Sequence, residues 1–522
     1  MVQKNNRTVF MAVIVIFCVA FFLRFYHIDV TPPGIYPDEA VNGQDALKVL
    51  DGAPWQWFYT DNQGREGLFM NLVAMSFALF GVSVMSLKLP AIICGSLTVV
   101  GTFFLSREIF RSDRIALVAM AFNAVAFTAV NFSRISFRAN MLPLVLVWSF
   151  YFLYKGLHSR KYLDFVIAGA IFGVGMHTYI AFRIAPLILI FLLPFLILAR
   201  ESFLREYWRL LGTFMMSFLI VTAPMFYTFW AHPEYFDSRA EHVFVFSSAV
   251  NQGHPIKIFM RSFLLSVAKY TFVSDLNWRN NYPPYPLLDP ATGAFFLGGF
   301  FYVVYKSGRS IYRRVKYFVR SDDMVIYPFL VFWFFAMLAP EFLTYESNPH
   351  ALRSIGALPM VYITAALCTS VLYEHMLRAY SGKKFTIRKA LLYGAIVFAL
   401  LFNPIKYFGF WAYHPLTAIY FEKDITQLAH DIQKVPTDRD VVVILGNMQR
   451  VPVRMFNWGR PNYTDFNPFE LDKIVLSDPH NTTFFFSDFH KEEILAKLMA
   501  QYPYMQLHEV VNDIGQKYYV LQ

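Results

Sequence analysis

The residues best suited by type and spacing to do chemistry in this chain are two adjacent acids. They are Asp38-Glu39, in the run Gly34-Ile35-Tyr36-Pro37-Asp38-Glu39-Ala40. They fall a dozen residues beyond the first apolar segment, Val9–Phe25, and Pro32-Pro33-Gly34 before them breaks any helix. Adjacent carboxylates at a membrane surface are costly to desolvate and are kept where they have a task. One of them can deprotonate an incoming nucleophile as general base, and its neighbour can orient the acceptor or a metal. Arginines on the same expected side (Arg65, Arg138, Arg183 and Arg353) suit the other half of such chemistry. A guanidinium grips phosphate through two parallel hydrogen bonds and stabilises the charge that develops on it. A simpler reading of the acids, a helix N-cap plus a first-turn acid ahead of Ala40–Leu50, is compatible with this one.

The elements that must position these residues are apolar. Of 522 residues, 56% are hydrophobic, 19% aromatic and only 16% charged, with apolar runs near the roughly 20 residues that span a bilayer. That excludes a soluble protein of this length and points to a polytopic membrane protein. The net charge of +10 is carried by short basic clusters between apolar runs, so the positive-inside rule explains it better than a nucleic-acid partner. Cys18, Cys94 and Cys368 all lie in apolar runs, which argues against a disulfide framework. His and Cys show no zinc-type spacing, so no metal site is assigned. Lys4 and Arg7 precede the first apolar stretch as in a signal peptide, but Arg24-Phe25-Tyr26-His27 follows instead of a small-residue cleavage site. An uncleaved first span is expected.

Eleven spans are expected: 9–25, 88–106, 115–131, 139–156, 162–178, 183–199, 210–230, 292–306, 325–340, 355–375 and 389–404. With the N-terminus cytoplasmic, the basic clusters at Arg107–Arg114, Lys155–Lys161, Arg200–Arg209, Lys306–Arg320 and Arg378–Lys389 all face the cytoplasm. This holds only if Leu68–Val84, although apolar, does not cross but lies in the interface or re-enters. The outer side then receives the first loop 26–87 and the long loop 231–291 with Asp275, Trp278 and Arg279. It also receives 131–138 with Asn131 and Arg134, 177–183 with His177, Tyr179 and Arg183, and 341–354 with Glu341, Glu346, His350 and Arg353. Beyond about residue 405, β-rich runs (Val441–Leu445, Thr483–Phe486, Tyr518–Leu521) alternate with amphipathic stretches (Ile425–Val435, Lys491–Tyr502). The expected architecture is an all-α transmembrane domain over 1–404, with interfacial helices, and a small extracytoplasmic α/β domain over 405–522.

A carboxylate among arginines at this boundary suits displacement at a sugar carbon whose leaving group is a lipid phosphate. Several ordered segments resemble a known family. They are Tyr36–Ala40; Gly64-Arg65-Glu66-Gly67-Leu68-Phe69 followed by Leu79–Ser83; Asn131–Arg138; His177–Arg183; and Pro349-His350-Ala351-Leu352-Arg353. In order and side they resemble the GT-C glycosyltransferases of the protein O-mannosyltransferase and aminoarabinose transferase type. The likeness runs through roughly residues 10–410. It implies a GT-C fold of about eleven transmembrane helices and an inverting transfer from a polyprenyl-phosphate sugar to a protein, glycolipid or polysaccharide acceptor. Carried over residue by residue, Asp38 would be the base and Glu39 its partner. Arg65, Arg183 and Arg353 would bind the donor phosphate, and Glu66, Tyr179, His350 and Arg138 the substrates. Glu66-Gly67 stands where relatives more often have Pro-Pro, and Arg138 and Asn140 where they often have an acid. Two acids could hold Mg²⁺ or Mn²⁺, but no cofactor is required by the pattern. The other reading, a lipid or solute transporter or flippase, calls for mid-span charges, broken helices and internal repeats. The ionisable residues lie mainly at span ends and no repeat is visible.

Overall fold

The computed structural model describes residues 2–61, 64–237, 244–476 and 478–522, so part of the expected outer loop 231–291 lies outside the described residues. The chain forms two compact units. One comprises Met1–Tyr26, Gln56–Phe69 and Ala91–Gly409, and the other His27–Trp55, Met70–Pro90 and Phe410–Gln522.

The first unit is helical, and each of the eleven expected spans falls on a helix. Seven helices among the described residues have the length and apolarity to cross a bilayer unaided: Arg7–Phe25, Val84–Phe110, Ile180–Ala199, Phe203–Ala231, Asp323–Phe342, Ala351–Ala379 and Gly382–Trp411. An eighth is a pair, Asp113–Val125 and Phe127–Ser133, bent by 58°. The other three expected spans coincide with Met141–Ser159, Tyr162–Val174 and Pro290–Tyr317, which do not qualify by those measures. This is an integral, multi-pass membrane protein. Helices that face lipid gain little from hydrophobic contrast, so small residues and dense packing bring them together. Gly169 and Gly173 on Tyr162–Val174 supply one such contact. Side chains there would run into the Phe214 and Phe218 carbonyls of Phe203–Ala231. Aromatic rings fill the interior, with Phe150 edge-on to Phe329 and to Trp333 at centroid separations of 5.0 and 5.1 Å.

The bent pair opens backbone groups that lipid could not satisfy, and buried side chains close them. Arg24, from the first helix, donates to the carbonyls of Asn123 at 3.2 Å and Ala124 at 2.8 Å, and to Ser133 Oγ at 3.1 Å. Across the break, Asn403 Oδ1 accepts the Phe127 amide at 3.2 Å, while its Nδ2 donates to Asp289. Arg134 returns the service by donating to the Leu23 and Tyr26 carbonyls at 2.8 and 2.7 Å, where the first helix ends. These bonds cap a helix C-terminus.

The second unit contains a five-stranded sheet built from β3 (Asp440–Ile444), β4 (Tyr463–Phe466), β5 (Thr482–Ser487), β6 (Leu507–Val511) and β7 (Lys517–Leu521). Strand order is β4-β3-β5-β7-β6. β3 pairs parallel with both neighbours, and β7 antiparallel with both of its own. Val442, Ile444, Phe484, Phe486, Tyr519 and Leu521 point into one core with Ile494 and Leu498 of the helix Lys491–Gln501. Helix Lys423–Lys434 buries Ile425, Leu428, Ala429 and Ile432, the i, i+3, i+4, i+7 stripe of an amphipathic helix. Three of these strands and both helices match the sequence expectations to within two residues.

Two segments of the expected first loop are part of this unit. The helix Pro37–Leu50 packs against Arg450–Phe456, and Gln44 Nε2 donates to the Val451 carbonyl at 2.9 Å. The Ile35 amide donates to Thr426 Oγ1 at 2.9 Å, and Gly34 approaches the Phe421 carbonyl so closely that no Cβ would fit. The helix Leu68–Phe80 has 13 residues. At about 1.5 Å per residue it reaches about 20 Å, short of the roughly 30 Å hydrocarbon core, consistent with an apolar segment that does not cross.

Candidate functional site

Asp38 and Glu39 lie in the first turn of Pro37–Leu50. The N-cap is Tyr36, whose side chain makes no capping bond, and Pro37 occupies the first helical turn, where its missing amide costs nothing. The N-cap reading of the acids is therefore corrected, and both are helical first-turn residues favoured by the helix dipole. Glu39 is fully buried and Asp38 half-buried. Consecutive helical positions point about 100° apart, so the two carboxylates do not face one another. Among the described residues no three of His, Cys, Asp and Glu gather as ligands for a metal ion.

In the helical unit, a short hairpin sets Glu66. β1 (Phe58–Tyr59) pairs antiparallel with β2 (Arg65–Glu66), placing Phe58 opposite Glu66 and Tyr59 opposite Arg65. Arg65 is buried, with its guanidinium over the Tyr59 ring. The Glu66 carboxylate, only 3% exposed, meets Arg138 Nε at 2.9 Å and Arg183 Nη2 at 3.9 Å. Arg138 also lies over Tyr179 and Arg183 over Phe229. Four of the expected site residues (Glu66, Arg138, Tyr179 and Arg183) thus form one cluster. Gly67 closes the hairpin: its amide donates to the Trp57 carbonyl at 2.8 Å, and a Cβ on it would overlap the Gln56 carbonyl oxygen. Gly67→Ala is expected to lower the midpoint of thermal unfolding and cut kcat/KM about tenfold, from the roughly 1–3 kcal/mol of overpacking at a backbone contact. Parallel unfolding and turnover measurements check it.

Three arginines share one local design. Arg138 opens the 3₁₀ turn Arg138–Asn140, Arg183 lies in Ile180–Ile184, and Arg353 in Ala351–Ala357. Each turn runs directly into an apolar helix: Met141–Ser159, Pro186–Ala199 and Leu358–Ala379. The turn that carries Arg353 packs against both of the others. Helix N-termini offer partial positive charge and unshared amides, so guanidiniums at these turns add to a field that favours anions. Arg353 itself donates to the Glu346 carbonyl and pairs with the Glu346 carboxylate at 2.9 Å. The His350 amide donates to Glu341 Oε1 at 3.0 Å.

Other loop residues have structural partners. His177 Nε2 bonds to the Val221 carbonyl at 2.9 Å and its ring packs on Trp57, while its Nδ1 is buried without a hydrogen-bond partner among the described residues. Asn131 is buried and donates to the Arg279 carbonyl at 2.7 Å. Asp275 is buried and bonded to Asn277, Asn280 and Ala351. Trp57, half exposed on the hairpin beside His177, carries no spacing signal and escaped the sequence reading. Lys269 escaped it likewise, since its partner Glu341 is 72 positions away.

Solved structures align over nearly the whole chain. ArnT from Cupriavidus metallidurans bound to undecaprenyl phosphate matches with a TM-score of 0.59 at 12% identity, covering 97% of each chain. Its apo state matches with a TM-score of 0.56 at 12% identity, covering 99% of this chain and 98% of that one. The archaeal oligosaccharyltransferase AglB from Archaeoglobus fulgidus, in complex with an inhibitory peptide and a dolichol-phosphate, matches with a TM-score of 0.52 at 14% identity. That match covers 99% of this chain and 74% of AglB. The fold is GT-C. By sequence, residues 68–227 match the family model described as dolichyl-phosphate-mannose-protein mannosyltransferase. That stretch includes Arg138, Tyr179 and Arg183, while Asp38, Glu39, Arg65, Glu66, His350 and Arg353 lie outside it. No curated protein matches the chain. The resemblance drawn from the ordered motifs is borne out, and family model and GT-C fold together support a glycosyltransferase that uses a lipid-linked sugar donor.

Proposed function

We propose that this GT-C protein transfers a sugar from a polyprenyl-phosphate donor to an acceptor outside the cytoplasm, with inversion at the anomeric carbon. The observation that carries the reading is the set of arginine-bearing turns at helix N-termini, two of whose guanidiniums share the Glu66 carboxylate. Such a field is built for a phosphate. The polyprenyl chain would lie in the bilayer; the ArnT and AglB structures hold undecaprenyl phosphate and a dolichol-phosphate, lipid phosphates of the kind this transfer would release.

In the proposed step the acceptor heteroatom attacks the anomeric carbon and its proton passes to the Asp38 carboxylate. The bond from the anomeric carbon to the phosphate oxygen breaks, and its electron pair leaves with the lipid phosphate. Arg65, Arg183 and Arg353 are assigned to that phosphate, whose growing charge they stabilise. Glu66, through Arg138 and Arg183, fixes the guanidiniums, and Tyr179, His350 and Arg138 are assigned to sugar and acceptor. Glu39 supports the acceptor side. Should Mg²⁺ or Mn²⁺ bind, Asp38 and Glu39 would be the residues to hold it, and no step is routed through one. The basic clusters favour a cytoplasmic N-terminus, with the acids and the C-terminal sheet on the opposite side.

The test is turnover by purified protein given a polyprenyl-phosphate sugar of defined anomeric configuration and, in turn, peptide, glycolipid and polysaccharide acceptors. The expected product has the opposite configuration by NMR. A product of unchanged configuration, or transport of the donor without transfer, would overturn the reading.

A further inference from the structure

Two buried carboxylates converge on the start of the turn that carries Arg353. Asp275 Oδ2 accepts the Ala351 amide at 2.7 Å, and Glu341 Oε1 accepts the His350 amide at 3.0 Å. Glu341 is itself paired through Oε2 with Lys269, both side chains being fully buried. At the far end of the turn, Trp333 Nε1 donates to the Gly356 carbonyl at 2.9 Å. Asp275 also accepts the Asn277 amide at Oδ1 at 2.9 Å and Asn280 Nδ2 at Oδ2 at 3.1 Å. Three donors to the two oxygens favour the ionised carboxylate.

We infer that Asp275 and Glu341, the latter held by Lys269, are positioning residues that clamp the turn Ala351–Ala357 by its first amides and so fix Arg353. The value of this clamp to catalysis rests on the reading of Arg353 as a ligand of the donor phosphate. The clamp has a built-in acid sensitivity. Burial, outweighing the amide bonds, pushes the Asp275 carboxyl from its ordinary 3.8 up to about 6, with the nearby Glu341 adding to the rise. The charged groups that face it are Glu341, from the helix Asp323–Phe342, and Lys269, just past the helix Pro255–Ala268. Burial lowers the Lys269 ammonium from its usual range. Below about pH 6 Asp275 takes up a proton, and the bond that the Ala351 amide makes to it loses its charge assistance and weakens its hold on the turn.

The sign for stability is opposite. A carboxyl whose pKa is raised by folding stabilises the fold fully below about 3.8, and that contribution is lost as pH rises through about 6. Acidification should therefore loosen the turn while favouring the fold, a combination that a merely structural carboxylate would not produce.

The experiment follows full-length wild type and Asp275→Asn between pH 5 and 7.5. The first readout is amide hydrogen exchange in the 346–357 segment, corrected for the intrinsic pH dependence of exchange, and the second is turnover with a polyprenyl-phosphate sugar. In wild type, protection at His350 and Ala351 is expected to fall roughly tenfold from pH 7 to pH 5, with an apparent pKa near 6, and kcat/KM to fall with it. In Asp275→Asn both should be low and flat over the same range, and the unfolding midpoint of wild type relative to the variant should rise on acidification. The wild-type titration stands alone if the variant does not fold. Protection that ignores pH in wild type overturns the clamp whatever the turnover. Exchange that behaves as described in a protein with no transferase activity overturns the proposed function and leaves the clamp standing.

Discussion

Asp38→Asn is expected to reduce turnover by about 10²–10⁴-fold while leaving donor affinity within about twofold of wild type, because only proton removal from the acceptor is lost. The substitution keeps the size and shape of the side chain. Its structural cost includes the loss of one first-turn charge against the helix dipole, about 0.3–1 kcal/mol. That is far too little to unfold a helix whose second unit also holds it through Gln44 and Ile35. A fall in activity without a fall in the unfolding midpoint would therefore report chemistry and not folding. Turnover within tenfold of wild type would remove Asp38 from the role of base. Glu39→Gln should cost less in rate, but it alters a fully buried group, so its effect should divide between stability and turnover.

The second large effect concerns Glu66 and Arg138. Each side chain is nearly out of solvent, and removing one member of a buried pair leaves the other's charge uncompensated, at about 3–5 kcal/mol. Glu66→Gln should be the worse single change, since it withdraws the negative charge from Arg183 as well as Arg138. Arg138→Met strands one carboxylate that Arg183 can still reach. The double variant should lie close to the worse single one, so the coupling in the unfolding free energy should be about as large as the milder single effect, about 3 kcal/mol, with the same pattern in kcat/KM. Additive effects to within about 0.5 kcal/mol would show that the two side chains act independently.

The sequence disclosed the parts of this protein that are written in local patterns. Apolar runs and basic clusters are local, so the helices of all eleven expected spans could be placed. The β-branched and aromatic runs at Val441–Leu445, Thr483–Phe486 and Tyr518–Leu521 announced three strands. Tyr463–Phe466 and Leu507–Val511 did not announce themselves, because edge strands tolerate the polar residues that blur alternation. The break at Ala126 was invisible for a related reason: alanine favours helix, and what holds the break open is Arg24 and Asn403, about 100 and 276 residues away in sequence. The cluster at Glu66 was legible only as a set of residues on one expected side. That Glu66 is the carboxylate shared by Arg138 and Arg183 required the hairpin and two 3₁₀ turns to be in place. Likewise, nothing in the spacing of Pro37-Asp38-Glu39 revealed that their helix packs with the C-terminal sheet unit, because Gly34 and Gln44 find their neighbours some 400 positions downstream.

The first helix has a consequence for engineering. Most of its surface faces outward, and by length and apolarity it resembles any single-pass anchor. Yet Arg24 near its end supplies the hydrogen bonds that finish a different helix, and its own last carbonyls are finished by Arg134. An unrelated anchor of equal length would insert and tether the chain but leave the Asn123 and Ala124 carbonyls open inside the bundle. Residues 2–25 are therefore an internal component that happens to stand at the periphery, and they cannot be exchanged as a leader.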